Sequence, residues 1–300
     1  MERRTLGKTG LEVSRLGVGL SEISDFTLAD AKTVSKILNT ALDEGINFLD
    51  TSACYGNSEE LIGRAVGHRR DECLVATKCG HVAGHHIGED WSRKTLEDSI
   101  NRSLWRARIG YIDILQLHSC PLEILQRGEV IEIVQKAKQD GKTRFIGYSG
   151  DNEAAEWAVE SGLFDTIQTS FNLVDQRAST GLFARAKAKG MGIIAKRPIA
   201  NAAWGASESP SNYASQYFAR AQAMQAGGPI PDAPENRILL ALGFAWANPD
   251  IDTIIVGTRN PAHMQANLKW VQNDLPIAQE AVMALQQRFE EVGGDWPQLR

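Results

Sequence analysis

No two cysteines stand in C-x-x-C spacing. The four present, Cys54, Cys73, Cys79 and Cys120, are scattered, which argues against a zinc knuckle or a disulfide framework. A reducing, cytoplasmic setting is the expectation. No apolar run approaches the length of a membrane span, so no membrane partner is expected. The opening MERRTLGKTG carries positive charge without an apolar h-region and does not read as a secretory signal. There is no excess of basic residues. The net charge is -5 over 300 residues, which argues against nucleic acid as the main partner. Two nucleotide fingerprints are also missing. Gly17-Val18-Gly19 begins a G-x-G-x-x-G that fails at Glu22, and Gly141-Lys142-Thr143 lacks the upstream glycine of a Walker A loop because position 136 is Lys.

What the chain does have is alternation. GKTG (Gly7 to Gly10) reads as the turn of an N-terminal β-hairpin, and VSRLGVGL (13–20) as the first strand. Strands follow at 46–50, 73–78, 111–118, 143–149, 166–171, 191–197 and 252–257. Amphipathic helices are expected between them, near 29–44, 58–66, 92–108, 122–139, 153–160, 175–189, 235–247 and 261–271. Several strands are continuous apolar runs, as strands covered on both faces should be. Eight strand-helix units in about 250 residues predict a (β/α)8 TIM barrel, with a doubly wound sheet as the runner-up. The whole chain, 1–300, reads as one domain. Two additions are expected: a long loop from Pro198 to Pro234 after strand seven, rich in Ala, Gly, Ser and Pro, and an extra C-terminal helix over 277–292.

Active sites of such barrels lie at the C-terminal strand ends. The second strand closes on Asp50 with Tyr55 in the next loop, the third on Lys78, and the fourth on His118. Singly, each has an ordinary structural reading. Together they are complementary. A free phenol has a pKa of about 10, and an ammonium beside it lowers that value. A carboxylate holds the ammonium, and a histidine orients a carbonyl by donating a hydrogen bond. Such a set protonates an oxyanion as it forms, which suits carbonyl reduction by a hydride that a cofactor must supply. The histidines of HVAGHHIGEDW (His81, His85, His86), with His118 and the cysteines, raise a metal-site alternative. Strand alternation weakens it, and no metal is expected. Oxidation of Cys54 or Cys79 is a further expectation as an inhibitory event.

INFLDTSACYGNSEELIGRAV, VATK, YIDILQLHSC, GKTRFIGYSG, IQTSFNLVD and IIVGTRNPAHMQANL occur in an order that resembles the aldo-keto reductases, from about Arg4 to Leu268. That resemblance implies an NAD(P)H-dependent oxidoreductase acting on an aldehyde, ketone or sugar. Tyr55 would be its general acid, Asp50 and Lys78 would tune the phenol, and His118 would orient the carbonyl. It places the nicotinamide carboxamide at Ser149 and Gln168. The rest of the dinucleotide would lie along Gly19, Leu20, Lys196, Arg197, Pro198 and Ile199, and its adenosine phosphate at Gly257, Thr258, Arg259, His263 and Asn267. Three departures stand out: Gly150 follows Ser149 where the family often has Asn, with Asp151 as a substitute, Lys196 stands where an aromatic often stacks on the nicotinamide, and His263 stands where Arg often meets the 2′-phosphate, with Arg259 to compensate. Arg259 favours NADP(H), with NAD(H) as the other choice. Trp91 and Trp204 are candidate substrate contacts, and the partner is a small carbonyl or alcohol. The alternative is a non-catalytic nucleotide-sensing subunit similar to potassium-channel β subunits. The motifs fix neither the oligomeric state, the substrate nor the direction of the reaction.

Overall fold

The computed structural model describes residues 1–84 and 88–299. Eight parallel strands close into a barrel: β3 (Leu16–Gly19), β4 (Phe48–Asp50), β5 (Leu74–Cys79), β6 (Ile112–His118), β7 (Thr143–Ser149), β8 (Thr166–Ser170), β9 (Gly192–Lys196) and β10 (Thr253–Gly257). Neighbours in sequence are neighbours in the sheet, and β10 pairs with β3 to complete the ring. An antiparallel hairpin of β1 (Arg3–Thr5) and β2 (Glu12–Ser14) precedes it.

The strands dictate both faces of the wall. Side chains alternate along a strand, and one parity points into the barrel. Phe48, Ala76, Ile114, Ile194 and Ile255 share one buried interior cluster with Leu6, Leu11 and Val13 of the hairpin, which plugs that end. Two residues further along, the same inward parity reaches Asp50, Lys78, Gln116 and Lys196. The apolar floor and the polar rim are therefore the same positions of a period-two pattern, read one step apart. The other parity, including Leu49, Val75, Leu115 and Ile193, joins the core beneath the helices.

The first strand differs from the reading over 13–20. It divides at Arg15, with β2 in the hairpin and β3 in the barrel. Arg15 is buried at this corner and donates to the carbonyls of Trp246 and Asn248. Helix 122–139 is likewise two helices, α4 (Leu122–Arg127) and α5 (Glu129–Gln139). Gly128 between them adopts φ 83°, a left-handed turn that interrupts the helical ladder. Only Leu182–Ala188 of the expected 175–189 helix is α-helical, with a 3-10 turn at Arg177–Thr180 before it. The Pro198–Pro234 segment contains α8 (Ser215–Gln225), whose Tyr217, Ala221 and Met224 are buried. The final helix, α11 (Gln279–Gly293), falls where the sequence places it. Among the described residues no helix is long and apolar enough to cross a membrane.

Candidate active site

Parallel pairing places β4, β5 and β6 side by side, so their C-terminal residues converge on one rim. The Lys78 ammonium donates to Asp50 Oδ2 at 2.6 Å and to the Thr51 carbonyl at 2.8 Å. It lies 5.1 Å from the centroid of the Tyr55 ring. The Tyr55 and His118 rings meet edge to face, 5.6 Å between centroids. All four groups that the sequence points to are brought together.

Their electrostatics follow from burial. Burial alone would lower the Lys78 pKa, but the Asp50 carboxylate and Tyr55 together outweigh it and the net direction is up. Tyr55 moves opposite to the sequence expectation: burial raises the phenol above its ordinary value, and the Lys78 ammonium only opposes that rise. Tyr55 therefore holds its proton across the neutral range. Burial, with Lys78, His81, Lys196 and Arg197 nearby, holds His118 well below the usual imidazole value, so its ring is neutral.

A cavity of about 670 Å³ opens over this rim, a size typical of small-molecule sites. Asp50, Tyr55 and His118 line it, and so do Gly19, Ser149, Gln168, Lys196, Arg197, Pro198, Ile199 and Gly257 among the cofactor candidates. Lys78 is buried against Asp50 beneath it. The remaining candidates lie outside the cavity lining. Leu20 buries its side chain in the core, although its backbone N–H bonds to the Asp50 carbonyl at 2.9 Å. Thr258 and Asn267 are buried, and Thr258 Oγ1 caps the turn through the Asn260 backbone. Arg259 is half exposed and pairs with Asp25 at 3.0 Å. His263 is exposed on the first turn of α10 (Pro261–Asn273). Trp204 is only 6% exposed and packed in the core, so it presents no face to the cavity. Trp91 stands edge to face with His81 at 5.0 Å, and His81 lies 5.4 Å from His118. His85 and His86 lie outside the described residues.

Several contacts here, and the residues Gln116 and Asp175, carried no clear sequence signal. Gln168 of β8 ties the β4 carboxylate across the barrel to β7: its amide donates to Asp50 Oδ1 at 2.7 Å and accepts from Ser149 Oγ at 2.7 Å. Gln116 donates to the same oxygen at 3.3 Å; its place two before His118 on β6 was the available clue. Asp151 does not stand free to replace the missing Asn. Its carboxylate is bonded by Lys196 Nζ at 2.9 Å, Thr169 Oγ1 at 2.9 Å and the Ser170 N–H at 2.7 Å. Burial favours the neutral acid there, but Lys196 and Arg197 outweigh it and Asp151 stays ionised. Arg197 and Asp175 anchor the segment 296–299: the guanidinium donates to the Leu299 carbonyl at 2.7 Å, and Asp175 Oδ2 accepts the Leu299 N–H at 2.9 Å.

A closed parallel barrel with a buried Lys-Asp pair, a tyrosine and a histidine at its C-terminal rim defines a class of oxidoreductase sites. Comparison with known proteins places the molecule within that class. Residues 15–287 match the Aldo/keto reductase family, and the chain belongs to that family. It is 30% identical over 314 residues to an L-galactose dehydrogenase of Arabidopsis thaliana, covering 99% of this chain and 97% of that one. It is 27% identical to a probable voltage-gated potassium channel subunit beta of the same plant, covering 90% and 91%. An aldo-keto reductase of Bacillus halodurans, solved in its holo form, superimposes with a TM-score of 0.80 at 24% identity, covering 96% of each chain, a likeness of fold. The protein is thus an oxidoreductase of a family that uses nicotinamide cofactors.

Proposed function

We propose that the protein reduces an aldehyde, ketone or sugar carbonyl with NADP(H) as the favoured cofactor and NAD(H) as the alternative. The observation that carries this reading is the Lys78–Asp50 pair beneath Tyr55 at the wall of the cavity. A bound reduced nicotinamide supplies the hydride to the carbonyl carbon. Tyr55 gives its phenolic proton to the oxygen as negative charge develops there. Lys78 stabilises the phenolate left behind, and Asp50 keeps the ammonium charged and fixed. Neutral His118 donates a hydrogen bond to the same carbonyl oxygen and lines up its carbon.

The cavity residues suit a dinucleotide. Ser149 and Gln168 offer a hydroxyl and an amide to the nicotinamide carboxamide. Asn201 lines the cavity, and its buried Nδ2 has no hydrogen-bond partner among the described residues, leaving a donor for a phosphate oxygen. A side chain at Gly257 would meet Glu22 Cγ at 2.5 Å, so glycine keeps that edge of the groove bare. Gly19, Lys196, Arg197, Pro198 and Ile199 line the rest, with Leu20 offering its backbone. Arg259 would meet a 2′-phosphate after leaving Asp25, with Thr258, His263 and Asn267 around it. Trp91, behind His81, is assigned to the substrate wall, and Trp204 to supporting the segment that covers the cofactor. Following NADPH absorbance with a panel of aldehydes, ketones and sugars tests the proposal. Turnover supports it, and tight NADPH binding without turnover on any of them favours a nucleotide sensor instead.

A further inference from the structure

His118 is held from behind by two side chains of the loop that carries Tyr55. Ser52 Oγ lies 3.1 Å from His118 Nδ1, Cys54 Sγ lies 3.3 Å from the same nitrogen, and the two are 3.1 Å from each other. Nε2 has no hydrogen-bond partner among the described residues, and the ring lines the cavity. A neutral imidazole carries one proton, and the hydrogen bond at one nitrogen decides which of the two holds it.

Counting donors distinguishes the two arrangements. With Nδ1 bare, the imidazole lone pair accepts a hydrogen bond from the hydroxyl, the thiol donates to the hydroxyl oxygen, and every hydrogen in the triangle has a partner. With Nδ1 protonated, three hydrogens share one hydroxyl oxygen and a weakly accepting sulfur. The Lys78 carbonyl, a further acceptor for the Ser52 hydroxyl, stands 3.5 Å away, the limit of a hydrogen bond. The Ser52 oxygen already receives the Cys54 N–H at 3.4 Å. Burial raises the Cys54 thiol pKa, so its S–H persists at neutral pH.

We infer that Ser52 and Cys54 are positioning residues that fix His118 in the tautomer with Nδ1 bare and Nε2–H turned to the cavity. The ring then reaches the carbonyl as a donor. In the opposite tautomer it would present a lone pair to the carbonyl oxygen and repel it. The catalytic consequence rests on the carbonyl-reductase reading, but the tautomer itself does not.

The test is nitrogen-15 NMR of the His118 imidazole in the substrate-free protein, assigned by loss of the signals in His118→Ala. A pyridine-like Nδ1 and a pyrrole-like Nε2 are expected. In the double variant Ser52→Ala/Cys54→Ala the preference should disappear, and kcat should fall about tenfold with KM and cofactor Kd unchanged, the loss of one aligned hydrogen bond. Cys54→Ser, which keeps a donor, should retain both the tautomer and the rate. A protonated Nδ1 in the parent protein overturns the assignment, whether or not the double variant folds. An unchanged tautomer in the double variant overturns it as well, and an altered tautomer with full kcat removes its catalytic part. Absence of turnover in the parent would count against carbonyl reduction and leave the tautomer result standing.

Discussion

The Lys78 ammonium lies 2.6 Å from the Asp50 carboxylate, and each residue is only 2% exposed. An ion pair so deeply buried contributes little net stability while it is whole, but breaking it leaves one charge stranded. Lys78→Met should therefore destabilise the fold by about 3–5 kcal/mol, as well as removing the charge that Tyr55 needs. Urea unfolding of the two proteins measures the difference. Lys78→Met/Asp50→Leu should recover part of that stability without activity. A single variant as stable as the parent would mean that the pair is more hydrated than its burial indicates.

Cofactor choice turns on Arg259 and Asp25. Their pair is exposed and so is weak. Asp25→Ala, by freeing the guanidinium, should tighten NADPH about threefold, within the range of an exposed ion pair. Arg259→Ala should weaken NADPH by about tenfold or more, the scale of one charge-assisted hydrogen bond, and leave NADH nearly unchanged. Fluorescence titration of both cofactors reads this directly. Equal weakening of the two would remove Arg259 from the 2′-phosphate.

Asp175 predicts a pH dependence of stability. Burial pushes its carboxyl from an ordinary 3.8 up to about 7, opposed by the Leu299 N–H. Between those values the unfolded chain has released the proton that the folded protein still holds. Folding therefore loses stability as pH rises through that window, and the contribution is whole only below about 4. Asp175→Asn, which does not ionise, should show a smaller fall in melting temperature between pH 5 and pH 8 than the parent. Parallel melting curves at the two pH values would contradict the raised carboxyl.

The thiols should resist oxidation. Burial pushes Cys79 up to about 12 and raises Cys54 as well, so little thiolate exists at neutral pH. Peroxide should therefore inactivate the parent and Cys54→Ser/Cys79→Ser at the same slow rate. Faster inactivation of the parent would restore oxidation as a control.

The barrel was legible because its strands are short apolar runs that alternate with amphipathic helices. The tetrad was legible because strand ends at Asp50, Lys78 and His118 must share a rim. What stayed hidden depends on pairings across the chain. Arg15 looks like a mid-strand residue until the Trp246 and Asn248 carbonyls are seen to receive it. Helix α8 lies in a stretch whose Gly, Ser and Pro content suggests a loop, and it is held by buried Tyr217 and Met224. The Asp151–Lys196 pair joins two different strand ends, and no local pattern announces it. The Tyr55 shift also escaped the sequence, because whether burial or the ammonium wins depends on how deeply the phenol is packed.

Proton delivery rests on Tyr55, and Tyr55→Phe tests it most directly. The variant keeps the ring and loses only the phenolic hydroxyl. NADPH affinity, followed by fluorescence, should match the parent, while carbonyl reduction, followed by NADPH absorbance, should fall by about 10²-fold or more, the usual scale of a general acid. A Tyr55→Phe protein that reduces carbonyls at the parent rate would contradict proton delivery by this phenol.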